Sequence, residues 1–139
     1  MIAVDTSILV DYIGDGPSAD EAETLLRNAL SLGPVVACEV VVSEVVAGLG
    51  HSDIVMETLE AIGIAYSPLE LRSALRAGEM QRRYRSRLAG STEPREGRRT
   101  VPDFLIGAHA LLQCQGLITR DAGFFRDYFK GLRVIAPKP

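Results

Sequence analysis

Short apolar blocks alternate with longer amphipathic stretches along this chain. Residues 2–5 (IAVD), 35–38 (VVAC), 64–68 (IAYSP), 116–119 (GLIT) and 132–137 (LRVIAP) are apolar and too short for ordinary helices, so they read as buried strands. Residues 18–32 (SADEAETLLRNALSL) carry helical periodicity. Ser18 is placed to cap that helix, Glu21 to complete a capping box, and Gly33-Pro34 to stop it. The stretch 39–49 (EVVVSEVVAGL) is ambiguous, because its valines favour a strand while Ala47-Gly48-Leu49-Gly50 resembles a helix end. A strand already precedes it, so a buried helix is expected. Further helices are predicted from Ser52 or Asp53 to residue 62, over 69–88 and over 102–115, with a short one inside 120–129. Residues 89–101 have loop composition. Strands alternating with helices predict an α/β fold of three layers, with a mostly parallel central sheet and helices on both faces. Neither repeats nor a second domain show, so residues 1–139 are expected to form a single domain.

In such a sheet ligands bind outside the carboxyl ends of the strands. Asp5 ends the first predicted strand, and Asp121 lies just past GLIT. Each has a plain structural reading as a helix cap: Asp5 or Ser7 for the helix that follows, Asp121 for the short helix at 122–129. Asp103 has one too, since Thr100-Val101-Pro102-Asp103 has capping-box spacing. Glu44 is harder to place, because it interrupts an apolar segment with no Lys or Arg nearby in sequence. A buried unpaired carboxylate is costly, so Glu44 must reach a rim, a distant base or a metal. Four acids at the ends or starts of buried elements would repel if they converged, and a hard divalent cation removes that penalty. Mg²⁺ takes oxygen ligands and keeps several waters, whereas zinc is disfavoured because Cys/His ligand spacing is lacking.

Charge sharpens the picture. The whole chain carries −3, but residues 82–99 hold seven arginines against two glutamates, leaving an acidic body around one basic segment. Arg82, Arg83, Arg85, Arg98 and Arg99 are therefore candidates to meet a nucleic-acid backbone, with a solvated helix face or an acidic protein partner as the alternatives. Tyr84 within RRYRSR is placed either to stack on a base or to pack inward. Apolar runs fall short of a membrane span, and Asp5 interrupts what could otherwise resemble a leader. Cys38 and Cys114 fit free thiols of a cytoplasmic protein. His51 and His109 offer a rival, metal-free acid–base pair. A receiver-type phosphoacceptor lacks its late lysine and closing helix, and a haloacid-dehalogenase-type phosphatase would need an acid where Ser7 stands.

The segments VDTSILVDY, SEVVAGL, PDFLIGAHAL and TRDAGFFRDYF…LRVIAP resemble, in order and style, those of PIN-domain ribonucleases, and VapC-type toxins of bacterial toxin–antitoxin pairs in particular. The resemblance spans nearly the whole chain. It implies that Asp5, Glu44, Asp103 and Asp121 form the acidic quartet that binds one or two Mg²⁺ or Mn²⁺ ions, with Ser7 and Thr119, and Thr6 beside them, as supporting hydroxyls. It further implies RNA hydrolysis leaving a 3′-hydroxyl and a 5′-phosphate, a small VapB-type antitoxin as partner, and a homodimer. The other class kept open is a catalytically silent PIN-like module that only binds RNA or a protein. The sequence departs from the family pattern at Gly107 and His109 inside a helix, where close packing is the physical reason for a glycine. Asp127 is a second acid near Asp121, read as a solvated helix residue.

Overall fold

The computed structural model describes residues 1–90 and 98–138. Within these residues five short strands form one all-parallel sheet: β1 (Ile2–Val4), β2 (Val35–Ala37), β3 (Ile64–Tyr66), β4 (Leu117–Ile118) and β5 (Val134–Ile135). Among the described residues seven helices connect them: α1 (Thr6–Ile13), α2 (Ala19–Leu32), α3 (Glu39–Leu49), α4 (Ser52–Ile62), α5 (Leu71–Leu88), α6 (Val101–Gln113) and α7 (Ala122–Tyr128). The predicted α/β class and the order of elements hold; the strands are shorter than their apolar blocks.

The strand order is β3-β2-β1-β4-β5. The chain builds outward from β1 through β2 to β3, then returns to the other side of β1 for β4 and β5. Parallel strands need crossover connections, which are right-handed, so reversing the direction of travel puts the two helix groups on opposite faces. Within the groups, α1 packs on α2 and α3, α3 on α4, and α5 lies along α6. The reversal leaves a crevice between the carboxyl ends of β1 and β4, the position where open α/β sheets bind ligands. Helix α3 also touches α6, which brings the two groups together.

The ambiguous segment 39–49 is a helix, because Val41 and Val45, one turn apart, both point into the core. It ends at Gly50, whose φ of 73° lies in the left-handed region glycine accepts freely. Helix α2 buries Ala22, Leu26 and Ala29, the stripe its periodicity predicts. The capping box expected at its start is not formed. Ser18 makes no side-chain cap bond, and Glu21 instead pairs with Arg120 at 2.8 Å. The second predicted box is formed: Asp103 accepts the backbone N–H of Thr100 at 2.9 Å, opening α6. Gly107 has a packing reason, since a Cβ there would lie 2.3 Å from the buried ring of Phe129. Tyr84 packs inward: it is buried, with its ring 5.5 Å from both Phe104 and Tyr128.

Candidate active site

Asp5 is the hinge of the site. Its backbone N–H continues the sheet ladder to Ile118 at 2.9 Å, and the chain then turns directly into α1. The side chain caps that helix, accepting the Thr6 N–H at 2.8 Å on Oδ1. The capping role and the site role are therefore compatible. On Oδ2 it accepts the Thr119 hydroxyl at 2.6 Å and, more weakly, the Ser7 hydroxyl at 3.4 Å. Thr119 follows β4 and Asp5 follows β1, so two adjacent parallel strands deliver a carboxylate and its donor to one point.

Asp5 is buried, and that position taxes its charge. Desolvation is the main cause that pushes its pKa up to about 6; the hydrogen bonds from Thr119 and Thr6 pull it back, and the charges of Asp103 and Glu44 push it up further. Those last two effects place Asp103 and Glu44 within electrostatic reach of Asp5. Glu44 projects from α3 and accepts the Thr6 hydroxyl on Oε1 at 2.7 Å, so the residue after Asp5 tethers it. Asp103 sits in the first turn of α6, and its two capping bonds from Thr100 both fall on Oδ2. Among the described residues no ion pair reaches Asp5, Glu44 or Asp103.

Asp121 stands apart from these three. A link to Asp5 runs through Thr119, whose hydroxyl oxygen accepts the Asp121 N–H at 3.0 Å. Its carboxylate does not cap α7. It is gripped by Arg99 in a two-point pair, Nη1 to Oδ2 and Nη2 to Oδ1, the latter at 2.8 Å. That guanidinium holds the Asp121 carboxyl below the ordinary carboxylate range. Arg120 is the cation adjacent to Asp121 in sequence. Arg120 instead turns away to pair with Asp11 and Glu21, tying the end of β4 to α1 and α2. Asp11 is thus a half-buried structural partner. Nothing local in the sequence signals either pair, since Arg99 and Asp121 lie 22 positions apart and Arg120 and Asp11 lie 109 apart.

Three of the four acids share one neighbourhood at the sheet's switch point, all offering oxygen and none neutralised by a cation among the described residues. Their donor chemistry fits a hard divalent cation. Among the described residues no three His, Cys, Asp or Glu side chains are placed so that together they could hold a metal ion. An ion with few direct protein ligands and several waters, as Mg²⁺ prefers, is the kind such an open arrangement can take.

The arginines divide. Arg82, Arg83 and Arg85 are exposed on α5, while Arg98 and Arg99 are partly buried where the chain approaches α6. Arg95 lies outside the described residues. An open groove of about 510 Å³ runs beside Asp121, lined among others by Arg87, Arg99, Arg120 and Phe124. His109 is buried in α6 and bonded to Ser67 at 3.1 Å; burial lowers its pKa, and the nearest acids that counter this are Glu39 and Glu70. It is therefore engaged with the β3–α5 connection rather than with Asp5. His51 is exposed at the start of α4, with a left-handed φ of 52°.

No helix of the described residues is long and apolar enough to cross a membrane. No curated protein sequence matches the chain. Solved structures do resemble it. VapBC2 from Rickettsia felis, solved with a DNA fragment from its promoter, shares 19% identity over 99% of this chain and 100% of that one, with a TM-score of 0.68. A toxin–antitoxin complex from Klebsiella pneumoniae shares 23% identity, covering 99% and 98%, with a TM-score of 0.64. VapC20 of Mycobacterium tuberculosis, a toxin that cleaves the sarcin–ricin loop, shares 15% identity over 96% and 99%, with a TM-score of 0.54. The PIN domain profile matches residues 2–130, so with strand order, switch-point carboxylates and sequence profile in agreement, the chain belongs to the PIN domain family.

Proposed function

We propose that this chain is a Mg²⁺- or Mn²⁺-dependent endoribonuclease acting as one PIN domain, and the toxin of a VapBC-type toxin–antitoxin pair. The observation that carries the proposal is Asp5: a carboxylate buried at the switch point, held there by hydroxyl donors and crowded by the charges of Asp103 and Glu44. Burying one acid beside two others is costly unless something positive joins them. Structural neighbours solved as toxins with antitoxins support the biological setting.

In this reading Asp5, Glu44 and Asp103 hold the ion, Asp5 at its centre. When bound, the ion supplies Lewis acidity, acidifying water and offsetting charge on the scissile phosphate. The chain's own groups do the rest. Thr119 and Ser7 fix the rotamer of Asp5, Thr6 fixes Glu44, and the Thr100 backbone fixes Asp103. Glu44, with Oε2 not used by Thr6, is positioned to orient a water. Asp121 completes the electrostatic surround with Arg99. RNA would approach along the basic side of α5, through Arg82, Arg83 and Arg85, its phosphates setting position rather than sequence preference. A VapB-type antitoxin would cover this acidic mouth. Leu71 and Leu75, exposed one turn apart on α5, are apolar surface of the kind a homodimer would bury. A cytoplasmic setting goes with that assignment.

The test is expression of wild type beside Asp5→Ala and Asp103→Ala, mapping new RNA 5′ ends with and without Mg²⁺. New 5′-phosphate ends in wild type alone, lost with chelator, are expected. Identical RNA profiles in all three would leave the catalytically silent interaction module as the better reading, and cleavage surviving excess EDTA would remove the metal.

A further inference from the structure

The groove beside Asp121 lies between α5 and α7, and three guanidiniums line it. They are not equivalent. Arg120 is engaged with Asp11 and Glu21, and Arg99 with both oxygens of Asp121. Arg87 is exposed and has no ion-pair partner among the described residues. It is nonetheless placed, with its guanidinium carbon 5.4 Å from the centre of the Tyr128 ring and 6.0 Å from that of Tyr84. Arg99 lies 4.5 Å over the Phe124 ring, and its backbone N–H donates to the buried Tyr84 hydroxyl at 3.0 Å. The groove therefore offers a cation that no acid among the described residues has claimed. It also offers a second guanidinium whose plane is fixed by a carboxylate and an aromatic ring. Its wall adjoins the Asp5 neighbourhood, because the Asp121 N–H bonds to the Thr119 hydroxyl, which itself bonds to Asp5.

Resting on the RNA-cleaving reading above, but on no bound ion, we propose that this groove is a nucleotide subsite for single-stranded RNA, in which Arg87 binds a phosphate and the Arg99 guanidinium plane carries the base. A strand with one phosphate at Asp5 has neighbouring nucleotides to place, and the groove is the adjoining surface. Unpaired RNA bases stack on aromatic rings and on guanidinium planes, and the wall of this groove supplies such planes. An acidic peptide could use Arg87 but has no ring to set on Arg99. Asp121 adds no uncompensated charge, since Arg99 meets it. Arg83, four positions before Arg87, shares its side of α5, so a strand can pass from the exposed arginines into the groove.

The experiment is fluorescence anisotropy of a short single-stranded RNA with the full-length protein in EDTA, so that binding is read without metal or cleavage. Arg87→Gln is expected to weaken binding about tenfold and to flatten the log–log salt slope by about 0.7. Arg87→Lys keeps the charge and is expected to keep the slope. Arg126→Gln removes an exposed arginine of α7 that does not line the groove, and is expected to change neither. Asp127→Asn removes the other acid lining the groove and is expected to tighten binding. RNA carrying 4-thiouridine is expected to cross-link within residues 121–130, located by mass spectrometry. Wild-type affinity and slope in Arg87→Gln, or cross-links only at residues outside the groove, would overturn the subsite. So would Arg87-dependent capture of an oligoglutamate peptide with no Arg87 dependence for RNA, which would give the groove to a protein segment. Wild type binding no RNA at all would instead defeat the RNA reading itself, so the two failures are distinguishable.

Discussion

Thr119 donates its hydroxyl to Asp5 Oδ2 at 2.6 Å across 114 positions of sequence, joining the ends of two neighbouring parallel strands. The Thr119 hydroxyl oxygen in turn accepts the N–H of Asp121 at 3.0 Å, so one side chain links the first acid to the last. Among the effects that hold down the Asp5 pKa, this bond is the largest. Thr119→Val keeps the shape but removes the donor. A hydrogen bond to a charged, buried acceptor is worth about 1.5–3 kcal/mol. The variant is expected to bind Mn²⁺ about tenfold more weakly near neutral pH, and to shift the pH midpoint of binding upward, while Thr119→Ser keeps both near wild type. Calorimetry over a pH series checks this, and equal midpoints for Val and Thr would show that the bond does not tune Asp5.

The elevated Asp5 pKa makes opposite predictions for stability and for metal binding. Its folded value of about 6 exceeds the ordinary 3.8, so the folded state holds this proton more tightly than the unfolded chain does. The resulting stabilisation is fully present below about pH 4 and is lost as pH rises through about 6, amounting at most to about 3 kcal/mol at 1.36 kcal/mol per pKa unit. Asp5→Asn is therefore expected to flatten the stability of the metal-free protein between pH 4 and 7, and to be the more stable form above pH 7. Metal binding runs the other way, because the ligand must be deprotonated. Wild-type Mn²⁺ affinity is expected to fall about tenfold per pH unit below 6. Chemical denaturation and Mn²⁺ titration across pH 4–8 test the two halves separately.

Gly107 tests packing without touching the acids. In an open helix, Gly→Ala would stabilise by about 1 kcal/mol. Here the added Cβ meets the Phe129 ring at 2.3 Å, and that ring is itself fully buried. Overpacking of this kind costs about 1–3 kcal/mol, so Gly107→Ala is expected to lower the melting temperature. A rise would show that Phe129 can move aside.

The order of strands and helices was legible because each apolar block is short and bounded, and a parallel sheet buried on both faces requires such blocks. The strand-end location of Asp5 followed from the same alternation. What stayed hidden were interactions whose partners are chosen in three dimensions. Ser18 and Glu21 have capping-box spacing, yet Glu21 faces a guanidinium 99 positions away, and an ion pair displaced the cap. Thr100 and Asp103 have similar spacing and form the box, and among the described residues Asp103 has no ion-pair partner to draw it away. Arg120 is next to Asp121 in sequence, but successive residues leaving a strand point apart; Arg120 faces α1 and α2 while Asp121 turns to Arg99. Tyr84 lies among arginines and is nonetheless core, since it falls on the buried stripe of α5, Ser73, Ala77, Tyr84 and Leu88, which recurs at helical spacings of four and seven. Local spacing thus identified which residues could carry chemistry, and topology decided which of them meet.

The exposed arginines of α5 carry the last prediction. Arg82 and Arg85, three apart and so on one helix face, line the same groove, together with Gln81 and Ser86. Neither has an ion-pair partner among the described residues. Cations on such a face bind phosphate by displacing condensed counterions, which makes affinity fall with salt by about 0.7 logarithmic units per phosphate contact on a single strand. Arg82→Glu with Arg85→Glu is therefore expected to weaken binding of a catalytically silenced Asp5→Asn protein to single-stranded RNA, and to flatten the log–log salt slope by about 1.4 on the same basis. Because the reversal acts on phosphates, the loss should be similar for RNAs of different sequence. Fluorescence anisotropy at several salt concentrations gives slope and affinity together. Weaker binding with an unchanged slope would mean the pair acts indirectly, and an unchanged affinity would move the RNA path off α5 and toward the groove beside Asp121.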